Sequence, residues 1–289
     1  MTLKQLVEWG RHQLEQEEVP EAEASAWYLL QSCLGNRDFS FRRSDYFLHR
    51  DEEAGEAVKR EYSEAVEKRK QRIPLEYITG FTEFMGLVFW VDENVLIPRQ
   101  DTETLVEWVY PLCSGKRVLD LCSGSGCIGL SIAALGNPLE VVLSDISAGA
   151  VGVAKENWNR LKEECQIKDS TKVEVLRGDL WKPVQGRFDV IVSNPPYIES
   201  DTIPELMPEV REFEPMGALD GGEDGLEFYR KIITDAPNHL NPGGILCFEI
   251  GYNQGESVSS LMRERGFAQV EIKKDIAGND RVVAGKLAD

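Results

Sequence analysis

Residues 117–129 read RVLDLCSGSGCIG, and the fold turns on how they are read. Arg117 to Leu121 is a short, mostly apolar run of the kind that forms a buried strand. It enters a loop in which Gly124, Gly126 and Gly129 match the pattern G-x-G-x-x-G, and an apolar helix is predicted over 127–136. Strand, glycine loop and helix in that order form a turn whose backbone can approach a ligand closely. Asp145 follows about twenty residues on, at the end of a second strand, where a carboxylate can accept hydrogen bonds from ribose hydroxyls.

The alternation continues outward from this point. EVVLSD (140–145), KVEVLR (172–177), FDVIVSN (188–194) and GILCFEI (244–250) read as strands, followed by QVEIKK (269–274) and RVVAGKL (281–287). Helices are predicted between them over 147–164, about 225–239 and 253–265. Such alternation implies an α/β fold with a mainly parallel sheet covered on both faces. Ligands of these sheets sit at the carboxyl ends of the strands, beside the switch point.

Upstream the character changes. Leu3, Leu6, Val7 and Leu14 form one helical stripe, and EAEASAWYLLQSCLG (21–35) gives a second helix closed by Gly35. SDYFLHRD (44–51) and the salt-laced run DEEAGEAVKREYSEAVEKRKQR (51–72) complete an all-helical region. Residues 74–100 alternate aromatic and β-branched residues around Gly80 and Gly86, which predicts a β-hairpin. The division expected is a helical, substrate-recognising domain over 1–73, a hairpin linker over 74–100 and a ligand-binding domain over 101–289.

Charge and composition narrow the function. The 289 residues carry a net charge of −18, with 12 basic and 15 acidic groups in residues 1–75, so residues 76–289 hold about −15. A surface of that sign repels a polyanion and suits a basic protein partner, which argues against direct nucleic-acid binding. The six cysteines are scattered with no CxxC pair, which argues against a zinc site or a disulfide framework. No apolar run reaches the roughly 18 residues of a membrane span. The amphipathic start MTLKQLVEWGRHQLEQ does not read as an export signal, so the expected location is the cytoplasm.

The glycine loop alone does not choose between a nicotinamide dinucleotide and S-adenosyl-L-methionine, since both carry a ribose diol for Asp145. The extra carboxylate of Asp120 would be unfavourable near a diphosphate and favourable near a sulfonium and an ammonium, which tips the reading toward S-adenosyl-L-methionine. Asp179, ending the third strand in LRGDLWKP, can accept from an adenine amino group, with Leu180 or Trp181 over the ring. A turn residue ahead of Pro183 explains Asp179 equally well.

The fourth strand ends in VSNPPYI (192–198). Pro195 disfavours the helical region for Asn194, Pro196 does the same for Pro195, and neither proline brings an N–H. The corner therefore offers acceptors, namely the Asn194 side-chain oxygen and the Pro195 carbonyl, with Tyr197 as a flat face. Two convergent acceptors suit an NH₂ group. An amide or aromatic amino nitrogen is a poor nucleophile, and holding its two protons aims the lone pair at an activated methyl carbon.

Taken together, DLCSGSGCIG (120–129), VSNPPYI, PLEYITGFTEFMGLVF (74–89) and VLIPRQDTETLVE (95–107) resemble the HemK/PrmC-type glutamine methyltransferases over nearly the whole chain. These modify the glutamine of the Gly-Gly-Gln motif in class-1 peptide release factors. The resemblance implies a class I S-adenosylmethionine-dependent methyltransferase domain. Its sheet would be Rossmann-like, seven-stranded and mostly parallel with a reversed last strand, beside a small all-helical N-terminal domain. It implies cofactor contacts from Cys122, Ser123, Gly124, Ser125 and Gly126, and from Asp145, Leu180 or Trp181 and Asn194, leaving S-adenosyl-L-homocysteine as product. Substrate glutamine would sit on Asn194, Pro195, Pro196 and Tyr197. Arg99 and Glu103 would shape the far side of the pocket, or form a salt bridge. Cys122 stands where the family often has glycine, which ordinary backbone dihedrals would tolerate, and Gln100 where proline is frequent. The partner implied is a class-1 release factor, met by a monomer. The alternatives are a ribosomal-protein glutamine methyltransferase, a DNA or RNA adenine amino-methyltransferase acting on a flipped base, and a nicotinamide dehydrogenase.

Overall fold

The computed structural model describes residues 1–35 and 40–288. Two compact units divide the chain. One comprises Met1–Thr82, Val91–Glu93 and Met207–Phe213; the other comprises Glu83–Trp90, Asn94–Leu206 and Glu214–Asp289.

The first unit is helical: α1 (Leu3–Gln16), α2 (Ala22–Leu34), α3 (Arg43–His49), α4 (Glu56–Lys70) and α5 (Leu75–Thr79). Thr2 and Gln5 close a capping box at the start of α1. The apolar stripe of α1 packs with Leu29 and Leu30 of α2 and Tyr62 and Val66 of α4. A Cβ on Gly10 would fall 2.1 Å from the Tyr62 hydroxyl, so glycine is what lets α1 and α4 meet there. Arg69 donates to Oε1 of Glu209 at 3.0 Å, and Arg72 grips both Glu209 oxygens at 2.7 Å. This buried clamp ties the distant stretch 207–213 to the end of α4, a feature for which the sequence carries no local sign.

A two-stranded sheet pairs β1 (Phe81–Phe84) with β2 (Leu87–Trp90) across the Gly86 turn. Of the stretch 74–100 expected as a hairpin only these residues pair, and Leu75–Thr79 form α5 instead. The second unit continues with α6 (Gln100–Val109), β3 (Arg117–Leu121), α7 (Cys127–Leu135), β4 (Glu140–Asp145), α8 (Ala148–Glu163), β5 (Lys172–Arg177) and β6 (Phe188–Ser193). Short helical turns follow, among them α9 (Pro208–Phe213, in the first unit) and α10 (Met216–Leu219). The chain then runs through α11 (Glu227–His239), β7 (Leu240–Glu249), α12 (Gly255–Glu264), β8 (Phe267–Lys274) and β9 (Asp280–Leu287).

Seven strands form one sheet in the order β5-β4-β3-β6-β7-β9-β8, parallel except for β9. The final strand is therefore the reversed one, as the resemblance implies. Alternate residues feed two cores. Val118, Val190, Val192 and Cys247 face one layer of helices, while Leu119, Leu121, Ile191, Leu246 and Phe248 face the other. Burial of both faces is why the central strands β3, β4 and β6 read as near-continuous apolar runs, whereas the edge strand β5 alternates.

The sequence reading assigns no helix to residues 100–109, yet α6 forms there with Thr102, Leu105, Val106 and Val109 buried at helical spacing. Strand β7 begins at Leu240 rather than 244, because Asn241-Pro242-Gly243-Gly244 continues in it past a register shift opposite Phe188 and Val190. Turn-forming residues inside a bulged strand hide it from pattern reading. Among the described residues no helix is long and apolar enough to cross a membrane.

Candidate active site

The sheet reverses its winding between β3 and β6, which lie side by side with Leu121 opposite Ser193. The loop after β3 and the Asn194 corner after β6 therefore start from neighbouring strand ends. A cavity of about 500 Å³ opens there, within the range of small-molecule sites. Cys122, Ser123, Gly124 and Ser125 from the glycine loop line it, with Asp145 at the end of β4, Asp179 and Leu180 after β5, and Asn194 and Pro196 from the corner.

Each piece of the loop is held by a partner. Asp145 accepts from the Gly124 N–H through Oδ2 and from the Ser147 N–H through Oδ1, both at 2.9 Å. A carboxylate has about four acceptor positions, so two remain for hydroxyl donors. Asn157 of α8, fully buried, donates to the Ser125 carbonyl at 2.9 Å and exchanges hydrogen bonds with the backbone of Trp90. Gly126 sits at φ +81° with Leu143 only 2.9 Å from where a Cβ would stand, so a side chain there is excluded twice over.

Cys122 departs from expectation. Its φ of +58° is left-handed, not ordinary, and costs roughly 1–2 kcal/mol in a residue with a side chain. The loop demands a conformation that glycine adopts freely, and this chain imposes it on a cysteine. Burial pushes the Cys122 and Cys127 thiols up to about 12, so both wall thiols are protonated and poorly nucleophilic.

Asp120 is not on the cavity wall. It is fully buried, its Oδ2 accepts from the Gly129 N–H at 2.8 Å, and burial raises its carboxyl to about 8. Lying beneath α7 and off the wall, Asp120 does not present its carboxyl to the cavity, whereas the charge expected beside a sulfonium and an ammonium would have to face it. Gly129 serves the same contact, since a Cβ there would lie 2.9 Å from Asp120 Oδ2. Leu180 lies on the wall at φ +47°, whereas Trp181 turns away to stack on His239, ring centroids 4.4 Å apart. Asp179 reaches the wall while pairing with Lys182 at 2.8 Å.

At the corner, Asn194 and Pro196 face the cavity, while the residues between and after them do not line it. Pro195 is buried, and Tyr197 points its hydroxyl to Glu249 at 3.3 Å. The aromatic residue on the wall is Phe228, in α11. Arg99 lines the cavity and pairs with the buried Glu214, beside which Pro215, Gly217 and Ala218 add to the wall. Glu103 is used elsewhere, accepting from the Met85 N–H of the β1–β2 turn at 2.6 Å.

The wall suits a ligand that is partly adenosine-like. Ile128, Ile146, Ala150 and Leu180 give an apolar part for a base, and Asp145 gives free acceptor positions for a diol. Ser123 and Ser144 also line the cavity, and their buried hydroxyls have no hydrogen-bond partner among the described residues.

Comparison with known proteins bears on the same arrangement. Residues 5–80 match the family described as PrmC N-terminal domain, and residues 100–209 match the methyltransferase small domain. A release factor glutamine methyltransferase of Clostridium acetobutylicum is 45% identical over 81% of this chain and 82% of its own. Its namesake in Clostridium botulinum is 40% identical over 99% of both chains, and that of Geobacter sulfurreducens 38% over 99% and 97%. Among solved structures, a methyltransferase from Pyrococcus furiosus superposes with a TM-score of 0.53 at 20% identity, over 71% of this chain and 90% of its own. The hMettl16 catalytic domain reaches 0.57 at 16%, over 78% and 82%. These two likenesses establish a class I methyltransferase fold. Relatives alike from end to end, with the helical and the sheet-bearing parts each matched, establish more: the chain belongs to the release factor glutamine methyltransferase family.

Proposed function

We propose that this protein methylates the side-chain amide nitrogen of the glutamine in the Gly-Gly-Gln motif of class-1 peptide release factors, drawing the methyl group from S-adenosyl-L-methionine. The observation that carries the reading is Asn194 on the cavity wall, at the tip of the strand adjoining the one that feeds the glycine loop. Relatives bearing that activity in their names extend over almost the whole chain. When bound, S-adenosyl-L-methionine supplies a methyl carbon made electrophilic by its sulfonium, and S-adenosyl-L-homocysteine remains.

The chain's own groups divide the remaining work. Asp145 would hold the ribose hydroxyls, Leu180 and Ile146 would cover the adenine, and the backbone of 122–126 would lie along the amino-acid part. The Asn194 side-chain oxygen, on the wall, accepts a hydrogen bond from one N–H of the glutamine amide. The Pro195 carbonyl, which does not itself line the cavity, accepts from the other as the substrate is seated. As the N–C bond forms and the S–C bond breaks, one of these protons leaves to solvent. A delocalised nitrogen gripped this way is turned so that its lone pair faces the incoming carbon. Positioning of this kind can supply about 7–11 kcal/mol of a bimolecular barrier. Oxygen acceptors also favour the positive charge that develops on nitrogen. None of the three histidines lines the cavity, consistent with a reaction that leans on alignment rather than on a strong base.

The same reading makes the acidic chain a cytoplasmic monomer that meets a protein rather than a nucleic acid. The test is mass spectrometry of a release-factor digest after incubation with the protein and S-adenosyl-L-methionine. One added methyl on the motif glutamine is expected. Methyl incorporation into DNA or ribosomal RNA, with none into release factor, would overturn the reading.

A further inference from the structure

Tyr197 belongs to the corner yet turns its hydroxyl away from the cavity, and the groups that receive it form a second layer. Strand β7 ends on Glu249, 2% exposed, whose Oε1 accepts from the Tyr197 hydroxyl at 3.3 Å. The Tyr229 hydroxyl of α11 donates to the Glu249 main-chain carbonyl at 2.9 Å. Gln254, just before α12, donates through Nε2 to the Tyr197 carbonyl at 3.0 Å and to the Gly225 carbonyl at 3.3 Å. Its Oε1 accepts from the Gly251 N–H at 2.9 Å, which fixes which way the amide faces. Gly225 packs so closely that a Cβ there would fall 2.4 Å from the Tyr197 oxygen.

We propose that Glu249 and Gln254 are positioning residues for methyl transfer: by fixing both the ring and the main chain of Tyr197, they set the direction in which Asn194 and Pro195 present their oxygens. The inference rests on the reading of that corner as the holder of the acceptor amide. Two consecutive prolines have fixed φ angles, so a rotation imposed at Tyr197 is passed to Asn194 with little slack between them. A carboxylic acid is also an unfavourable choice for packing alone. Burial raises the Glu249 carboxyl to about 7, a cost that a leucine of similar size would avoid. Displacing a reacting group by about 1 Å is enough to slow a reaction on the order of 100-fold.

The test uses the full-length chain acting on intact release factor, with kcat, KM and calorimetric S-adenosyl-L-homocysteine affinity measured for each variant. Glu249→Leu is expected to lower kcat by about 10- to 100-fold, while cofactor affinity stays within about twofold. Glu249→Gln, which keeps an acceptor for the Tyr197 hydroxyl, should stay within about fivefold of wild type. If the carboxyl acts through the tyrosine, Glu249→Leu placed in a Tyr197→Phe background should cost no more than about a further twofold. Gln254→Met reads the other end of the brace and should lower kcat about 10-fold, which covers the case in which Glu249→Leu does not fold. Unchanged kcat in folded Glu249→Leu or Gln254→Met, or full additivity with Tyr197→Phe, would overturn the proposal while wild-type methylation leaves the functional reading standing. A wild-type chain that adds no methyl to release factor would overturn both.

Discussion

Replacing Asp145 with asparagine separates what the carboxylate does for the loop from what it does for the ligand. Oδ2 receives the Gly124 N–H and Oδ1 the Ser147 N–H, each at 2.9 Å. Asparagine keeps one oxygen and turns an NH₂ group toward the other N–H, so one of these two bonds becomes a donor–donor contact. The charge that strengthens the remaining bonds is lost as well. A hydrogen bond to a charged group is worth about 1.5–3 kcal/mol, so losing one to a ribose hydroxyl weakens binding by about 10- to 150-fold. Calorimetric titration with S-adenosyl-L-homocysteine reads that loss directly. A thermal melt without ligand reads the loop's share, about 1–2 kcal/mol for one buried N–H left unsatisfied. Because Asp145 ends β4, one strand removed from the β3–β6 pair, kcat at saturating cofactor should fall by no more than about threefold. A folded Asp145→Asn protein that binds within a factor of two of wild type would refute the ribose assignment. So would a collapse of kcat with unchanged affinity.

Three further changes probe other parts of the molecule. Asn194→Ala removes the side-chain acceptor at the corner, and kcat for release-factor methylation should fall at least about 100-fold while cofactor affinity stays within threefold; near-normal turnover would mean that the amide is held elsewhere. Asp120→Asn removes a carboxyl raised to about 8 in the fold, against about 3.9 in an unfolded chain. The folded state then holds a proton that the unfolded state releases, so wild type loses stability as pH rises from about 4 to 8 and the variant does not. Urea midpoints at pH 5 and pH 8 should show the variant gaining on wild type at the higher pH, and a constant difference would count against a protonated Asp120. Glu209→Gln leaves Arg69 buried without its anion and should destabilise the helical unit by about 3 kcal/mol, seen as earlier proteolysis within 207–213; unaltered cleavage would show that the clamp holds nothing.

Strand and helix order was legible because the central strands are buried on both sides and leave apolar runs, while the edge strand β5 keeps a plain alternation of charged and apolar residues. Leu121, Asp145, Arg177 and Ser193 end β3 to β6 within a residue of where the pattern breaks. The glycine loop was equally legible, since Gly126 and Gly129 each stand where a Cβ would collide. The clamp at Glu209 was not. It joins residues about 140 positions apart, and a glutamate in a run already rich in acids looks like any other solvated charge.

Side-chain direction is where reading the site from sequence failed, and Asp120 shows why. Successive residues of a strand point to opposite faces, so Asp120 shares the face of Val118, the one on which α7 packs, while Leu119 and Leu121 share the other. Counting by twos from the apolar neighbours would have sent its carboxyl beneath the helix rather than over the strand end. No comparable count exists for Trp181, which follows the left-handed Leu180 and is taken up by a ring, His239, that only the fold brings near. The remaining wall, from Asn94 to Thr102, from Pro215 to Ala218 and at Phe228, is mostly apolar and comes from outside the strand ends. Such residues act by excluding water, which raises the worth of every hydrogen bond made inside the site. Exclusion depends on where an apolar surface is placed and leaves no chemical mark in the chain, so the groups that would shield Asn194 from water are those a motif search passes over.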